Sequence, residues 1–120
     1  AKYLLPDWIE RGEGYFCSTA SAAGLLAQIG SGPSTLTKRA AVAFAEYLAI
    51  TYGDAGVKVT CLCPQGVNTQ MLHAGDDALP GGNVVKAAGE VLEPAHVADD
   101  VIAAIEAEHF FVLPHPEVAE

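Results

Sequence analysis

"GPSTLTKRAAVAFAEYLAITYGDAGVKVTCLC", residues 32 to 63, decides the fold. Pro33 opens a run that meets no breaker until Gly53, so residues 34 to 52 are predicted to be a helix entered through proline and closed by glycine. Gly56 then turns the chain into "VKVTCLC", 57 to 63, where β-branched residues predict a strand. Upstream, "YFCSTA" (15 to 20) reads as another short strand. A strand, a long helix and a second strand joined by such short connectors form one parallel crossover unit.

The pattern continues in both directions. Residues 1 to 11, "AKYLLPDWIER", read as the end of an amphipathic helix with Leu4, Leu5, Trp8 and Ile9 on its buried side, closed by the turn at Gly12 and Gly14. Residues 94 to 107 form a second amphipathic helix, with Pro94 at its start and Val97, Val101 and Ile105 along one stripe. "HFFVL", 109 to 113, closes as a third strand. About three parallel strands with flanking helices make an α/β layer. The segment 70 to 92, "QMLHAGDDALPGGNVVKAAGEVL", is long and glycine-rich for a compact domain, as functional loops often are.

Composition narrows the function. The 120 residues are 51% hydrophobic, one domain's worth of chain or less. Six Lys+Arg stand against fifteen Asp+Glu, a formal net charge of −9. A phosphate-binding surface needs many basic contacts, so neither nucleic acid nor an anionic membrane is expected as a partner. No run approaches the roughly 20 apolar residues of a spanning helix, and a soluble, cytoplasmic protein is the expectation. Cys17, Cys61 and Cys63 have no CxxC spacing and read as small buried hydrophobes in a reducing compartment. His73, His96, His109 and His115 lack the spacing of a metal set, so no metal is expected.

The helix at 34 to 52 is apolar in almost every direction: Ala40, Ala41, Val42, Ala43, Phe44, Ala45, Leu48, Ala49 and Ile50 leave it no broad polar face. A helix of this kind needs cover on both sides. A second copy of the chain is the economical cover, and a homo-oligomer formed through helix 34–52 and the N-terminal helix is expected; another part of the same protein is the alternative.

"STASAAGLLAQIGSGPSTLTKRAAVAFAEYLA" (18 to 49), followed by "VKVTCLCPQGVNT" (57 to 69), resembles the catalytic half of the short-chain dehydrogenases/reductases. Members of that family use NAD or NADP to move a hydride to or from an alcohol or carbonyl carbon. The resemblance runs over nearly the whole chain. It implies a Rossmann-like doubly wound parallel sheet, of which residues 1–120 are a single partial domain, the substrate and catalytic half. Ser21 matches the family's catalytic serine, thirteen residues before its tyrosine position. Lys38 matches the lysine of the Tyr-x-x-x-Lys motif, where it serves both catalysis and the nicotinamide ribose. "PQGVNT" resembles the turn that holds the nicotinamide carboxamide, assigning Pro64, Gly66, Val67 and Thr69 to the cofactor; Gln65 opens the usual Pro-Gly.

The residue types suit the chemistry. A proton must reach or leave the substrate oxygen as hydride moves at the neighbouring carbon. A phenol, with an ordinary pKa near 10, is drawn toward neutrality by a cation one helical turn away. Lys38 is that cation, and Ser21 would orient the substrate oxygen. At the tyrosine position, however, stands Ser34, a far weaker acid on a side chain too short to reach the same point. The resemblance therefore implies that the chain as given is inactive, and a non-catalytic relative kept as a dimerisation or interaction module is the alternative.

No G-x-x-x-G-x-G or G-x-G-x-x-G occurs, so the phosphate cradle at a helix N-terminus is absent from these 120 residues. In the family that cradle belongs to a nucleotide-binding half preceding the part matched here. A chain that opens on Ala1 in what resembles mid-helix, and stops at "LPHPEVAE", reads as a piece of a longer protein. It is expected to bind nicotinamide cofactor poorly by itself. Met71, Leu72, Leu79, Val84 and Val85 suggest an apolar substrate wall. The absence of a G-x-S-x-G elbow argues against a serine hydrolase.

Overall fold

The computed structural model describes residues 1–26, 32–72 and 91–115. Helix α1 (Leu5–Arg11) leads into strand β1 (Gly14–Thr19), and a 3-10 turn, Ala22–Gly24, follows it. Helix α2 (Gly32–Tyr52) and a second 3-10 turn, Gly53–Ala55, deliver the chain to β2 (Val57–Leu62). Helix α3 (Pro94–Glu106) and the short β3 (Phe111–Val112) complete it. The strands form one sheet in the order β1-β2-β3, parallel throughout, with Gly14 opposite Val57 and Cys61 opposite Phe111. These are the predicted three parallel strands with flanking helices.

Strand β2 is central and buried at every residue but Lys58, as expected of a strand with a neighbour on each edge and a helix over each face. Its alternation divides the core in two. Val57, Val59, Cys61 and Cys63 pack with Val42, Ala45 and Leu48 of α2, joined by Leu5, Trp8 and Phe16. Leu62, of opposite parity, packs with Val97 and Ala104 of α3 and Val112 of β3. The two helices therefore cover opposite faces. Thr60 is fully buried and still satisfied: its hydroxyl donates to the His109 carbonyl (2.8 Å) and receives the Tyr15 hydroxyl (2.6 Å).

Several burial expectations are corrected. Leu4 and Ile9 are exposed, and only Leu5 and Trp8 of that helix reach the core, because no described element covers its outer side. Cys17 is exposed as well, whereas Cys61 and Cys63 are buried. With Thr19 it lies on the face of β1 opposite Phe16, and only the Phe16 side packs against α2. On α3 the inner stripe is Val97, Val101 and Ala104; Ile105 is only partly covered and stands outside that cluster.

Helix α2 buries only Val42, Ala45 and Leu48, a stripe of spacing three. Leu36 is 72% exposed, Tyr47 52% and Ile50 84%. Phe44 and Tyr47 extend an aromatic row from Phe16 to Tyr52, with centroid separations of 6.1, 6.5 and 6.1 Å. The expected second apolar face is present.

Candidate active site

In a parallel sheet the carboxyl ends of the strands open toward the loops that bind ligands. Residues 20 to 26 leave β1 there, and residues 63 to 69 leave β2 beside them. Pairing does not stop at the strand ends: Ala20 N–H donates to the Leu62 carbonyl (2.8 Å) and Ala22 N–H to the Pro64 carbonyl (2.9 Å). The two exits are thus stitched together.

Ser21 sits between those bonds with extended backbone and caps the 3-10 turn Ala22–Gly24. Its Oγ accepts from Ala23 N–H at 3.2 Å and donates toward the Pro64 carbonyl at 3.5 Å. The side chain is held between the turn it starts and the turn after β2.

Lys38 reaches the same neighbourhood through a glycine. A Cβ on Gly24 would stand 2.7 Å from the Lys38 carbonyl oxygen and 2.8 Å from Val42 Cγ2. Only glycine lets α2 lie this close to the serine turn. Lys38 is half-buried, and Arg39 donates to the Leu25 carbonyl at 3.5 Å, fastening the next residue to the same turn.

Ser34 lies in the first turn of α2 and is exposed; its carbonyl accepts the Thr37 hydroxyl at 3.0 Å. Thr35, next to it, has an Oγ1 that is buried without a hydrogen-bond partner among the described residues.

The turn after β2 is held from several sides. Pro64 receives Ala22 and Ser21, Gly66 is buried with its carbonyl accepting Leu92 N–H (3.1 Å), and Val67 bridges in parallel to Leu92. Asn68 N–H donates to the Leu92 carbonyl (2.7 Å) and its side chain to Glu93 Oε1 (2.9 Å). Thr69 Oγ1 accepts Leu72 N–H at 3.4 Å, leaving its own hydrogen to give. Gln65 Oε1 is buried with no partner among the described residues.

Ser21, Lys38 and the segment 64–69 are thereby gathered at one end of the sheet. Thr35 Oγ1 and Gln65 Oε1, on the two elements that bound this end, are buried without a partner among the described residues, at a cost in stability. The exposed Thr69 hydroxyl, with its hydrogen to give, and the half-buried Ser21 and Lys38 are polar groups that fit the nicotinamide end of a dinucleotide. They include no phosphate cradle.

Sequence reasoning missed His115. It is 1% exposed, accepts Gln65 N–H on Nδ1 at 3.1 Å and lies with Nε2 3.1 Å from the Gly66 carbonyl. The signal in "LPHP" is slight, an isolated histidine between two prolines. His96 and His109 are exposed; His73, Leu79, Val84 and Val85 lie outside the described residues, as does most of the long loop. Of the suggested apolar wall, Met71 is 83% exposed and Leu72 is half-buried.

No helix among the described residues is long and apolar enough to cross a membrane. The thiols form a local pair: Cys61 and Cys63 Sγ atoms are 3.9 Å apart, and the Ser18 hydroxyl lies 3.9 Å from Cys61. The Cys63 thiol hydrogen bond brings Cys61 down to about 7, while that same bond, burial and the Cys61 charge push Cys63 up.

Known proteins resemble this chain in sequence and in fold. The oxidoreductase UcpA of Escherichia coli K12 is 35% identical over 74 residues, 61% of this chain and 28% of its own length. The 2,5-dichloro-2,5-cyclohexadiene-1,4-diol dehydrogenase of Sphingobium indicum is 38% identical over 77 residues, 63% of this chain and 31% of its own. The chain thus spans about a third or less of the curated relatives it matches. Among solved structures, a short chain dehydrogenase/reductase from Burkholderia phymatum in complex with NAD superimposes with a TM-score of 0.80 at 25% identity, covering 98% of this chain and 49% of that one. A short-chain dehydrogenase from Sphingobium yanoikuyae in complex with NADPH gives 0.74 at 18% identity, covering 91% and 40%. The family model described as short chain dehydrogenase matches residues 1–79, a stretch that holds Ser21, Lys38 and the turn after β2. With that match and a three-stranded Rossmann-like sheet of the same topology, the chain belongs to the short chain dehydrogenase family.

Proposed function

We propose that this chain is the proton-handling and substrate-side part of an NAD(P)-dependent short-chain oxidoreductase acting on an alcohol/carbonyl pair, and that Ser34 leaves the chain as given inactive. The observation that carries the reading is the convergence of Ser21, the Lys38 turn of α2 and the segment 64–69 at the carboxyl ends of β1 and β2. Relatives with NAD and NADPH bound support a nicotinamide cofactor. That cofactor supplies the hydride.

The chain's own residues do the rest. The Ser21 hydroxyl, already aimed by Ala23 N–H and the Pro64 carbonyl, donates to a substrate oxygen that displaces its 3.5 Å contact. Lys38 holds the ribose and supplies positive charge beside the reacting oxygen. Val67 and Thr69, on a turn tied down through Pro64, Gly66 and Asn68, receive the carboxamide. Ser34 cannot replace a phenol as acid, and positioned acid–base groups contribute typically 10² to 10⁴-fold. The free thiols suit a reducing, cytoplasmic setting.

A second reading is favoured by the open face of α2, where Leu36, Phe44, Tyr47 and Ile50 are exposed: a non-catalytic relative retained as an interaction module. Fluorescence titration of the full-length protein with NADH and NADPH separates the two. The oxidoreductase reading expects saturable binding of one nucleotide, weakened at least tenfold by Lys38→Met with the far-UV spectrum unchanged. Absence of binding by the folded protein would leave the interaction module standing.

A further inference from the structure

His115 holds a place that the function above does not use. It lies three residues beyond β3, yet both ring nitrogens address the backbone of the turn after β2. The partners dictate its chemical form. Gln65 N–H can only donate, so Nδ1, 3.1 Å away, presents its lone pair; the Gly66 carbonyl can only accept, so Nε2, also at 3.1 Å, carries the proton. The ring is the neutral Nε2–H tautomer, fixed by two consecutive residues of one turn.

The grip falls where the turn departs from regular structure. Gly66 already accepts Leu92 N–H, and His115 adds a second donor to the same carbonyl. Pro64 is held from the serine turn and Asn68 from Leu92 and Glu93. Between those anchors, Gln65 N–H has the imidazole as its partner. At 1% exposure, water does not substitute readily for the ring.

We infer that His115 is a positioning residue for the cofactor turn: bridging Gln65 N–H and the Gly66 carbonyl, it fixes the orientation in which Val67 and Thr69 meet the nicotinamide end of the dinucleotide. This rests on the reading of the segment 64–69 as the cofactor turn. The geometry assigns a histidine because a rigid ring offers one acceptor and one donor on separate edges. Phenylalanine fills the same space and offers neither; asparagine keeps an acceptor near Nδ1 and loses the reach to Gly66.

The test uses the full-length protein, with His115→Phe, His115→Asn and, as a control of stability alone, Val112→Ala in the β3 core. Amide hydrogen exchange at Gln65 and nitrogen-15 spectra of the imidazole read the clamp directly. A single Nε2–H tautomer, and at least tenfold faster Gln65 exchange in His115→Phe than in Val112→Ala, are expected. Mixed tautomers or unchanged exchange overturn the clamp. NADH and NADPH titrations read its purpose: His115→Phe raises the dissociation constant at least tenfold, His115→Asn recovers part of the loss, and Val112→Ala leaves affinity unchanged despite a lower melting temperature. Equal affinity losses in His115→Phe and Val112→Ala refute positioning and leave the cofactor reading intact. A parent protein that binds neither nucleotide, with the clamp signals present, overturns the cofactor assignment of the turn itself.

Discussion

Single residues set the chemistry at this end of the sheet. Gly24 has no side chain because α2 occupies the space, and that contact sets the Lys38 backbone against the turn that Ser21 caps. Spacing put Ser21 on a strand exit and Lys38 on a helix, and those are the positions they occupy, since local signals fix the elements that carry them. His115 was not legible, because its partners lie fifty and forty-nine residues away and nothing local marks a long-range clamp. Cys61 and Cys63 were legible as neighbours, being two apart on a strand, but their coupled titration depends on burial. Cys61 stands below its ordinary value of 9.0, at about 7, chiefly through the Cys63 thiol; Cys63 is raised. The lowered group stabilises the fold above pH 9 and loses that contribution as pH falls through about 7; the raised one contributes below 9 and loses it as pH rises beyond. Urea midpoints are therefore expected to rise from pH 7 to 9 and fall above it, and Cys63→Ala is expected to flatten the lower limb. A midpoint flat across pH 7 to 9 in the parent contradicts the pairing.

At the scale of elements, periodicity carried far. The long helix, the central strand and the Pro94 helix fall within two residues of their predicted bounds, because proline entry, glycine exit and β-branched runs are local signals. The third strand shortened to two residues, since only Phe111 and Val112 find register with Cys61 and Leu62. The inward faces were harder to read: Leu4 and Ile9 are exposed because burial depends on what covers an element, which its own sequence does not state. The same limit applies to α2, whose all-round apolarity leads one to expect a second contact and does not name the partner. Leu36, Phe44, Tyr47 and Ile50 are exposed on it, and an interaction surface there is a proposal to be tested. A homo-oligomer through α2 predicts that Leu36→Glu with Ile50→Glu in the full-length protein shifts light scattering from dimer or larger to monomer, with the melting temperature of the monomeric unit changed by little. An unchanged assembly would place the partner elsewhere.

Across the molecule, the parallel sheet collects at its carboxyl ends what the sequence separates by more than forty residues: Ser21 after β1 and the segment 64–69 after β2, with Lys38 from the helix between them. The order of elements made that convergence legible, because parallel strands joined by crossovers deliver their exits to one side. The phosphate cradle was never legible, as neither G-x-x-x-G-x-G nor G-x-G-x-x-G occurs in these 120 residues. The account depends on a pocket arranged around an aromatic hydroxyl where Ser34 now stands. Steady-state turnover of the full-length protein and its Ser34→Tyr variant, with saturating NAD⁺ or NADP⁺ and a panel of secondary alcohols, tests it most directly. The account predicts background turnover in the parent and a gain of roughly 10² to 10⁴-fold in the variant; a parent that already turns over at an ordinary enzymatic rate of about 1 s⁻¹ or more contradicts it.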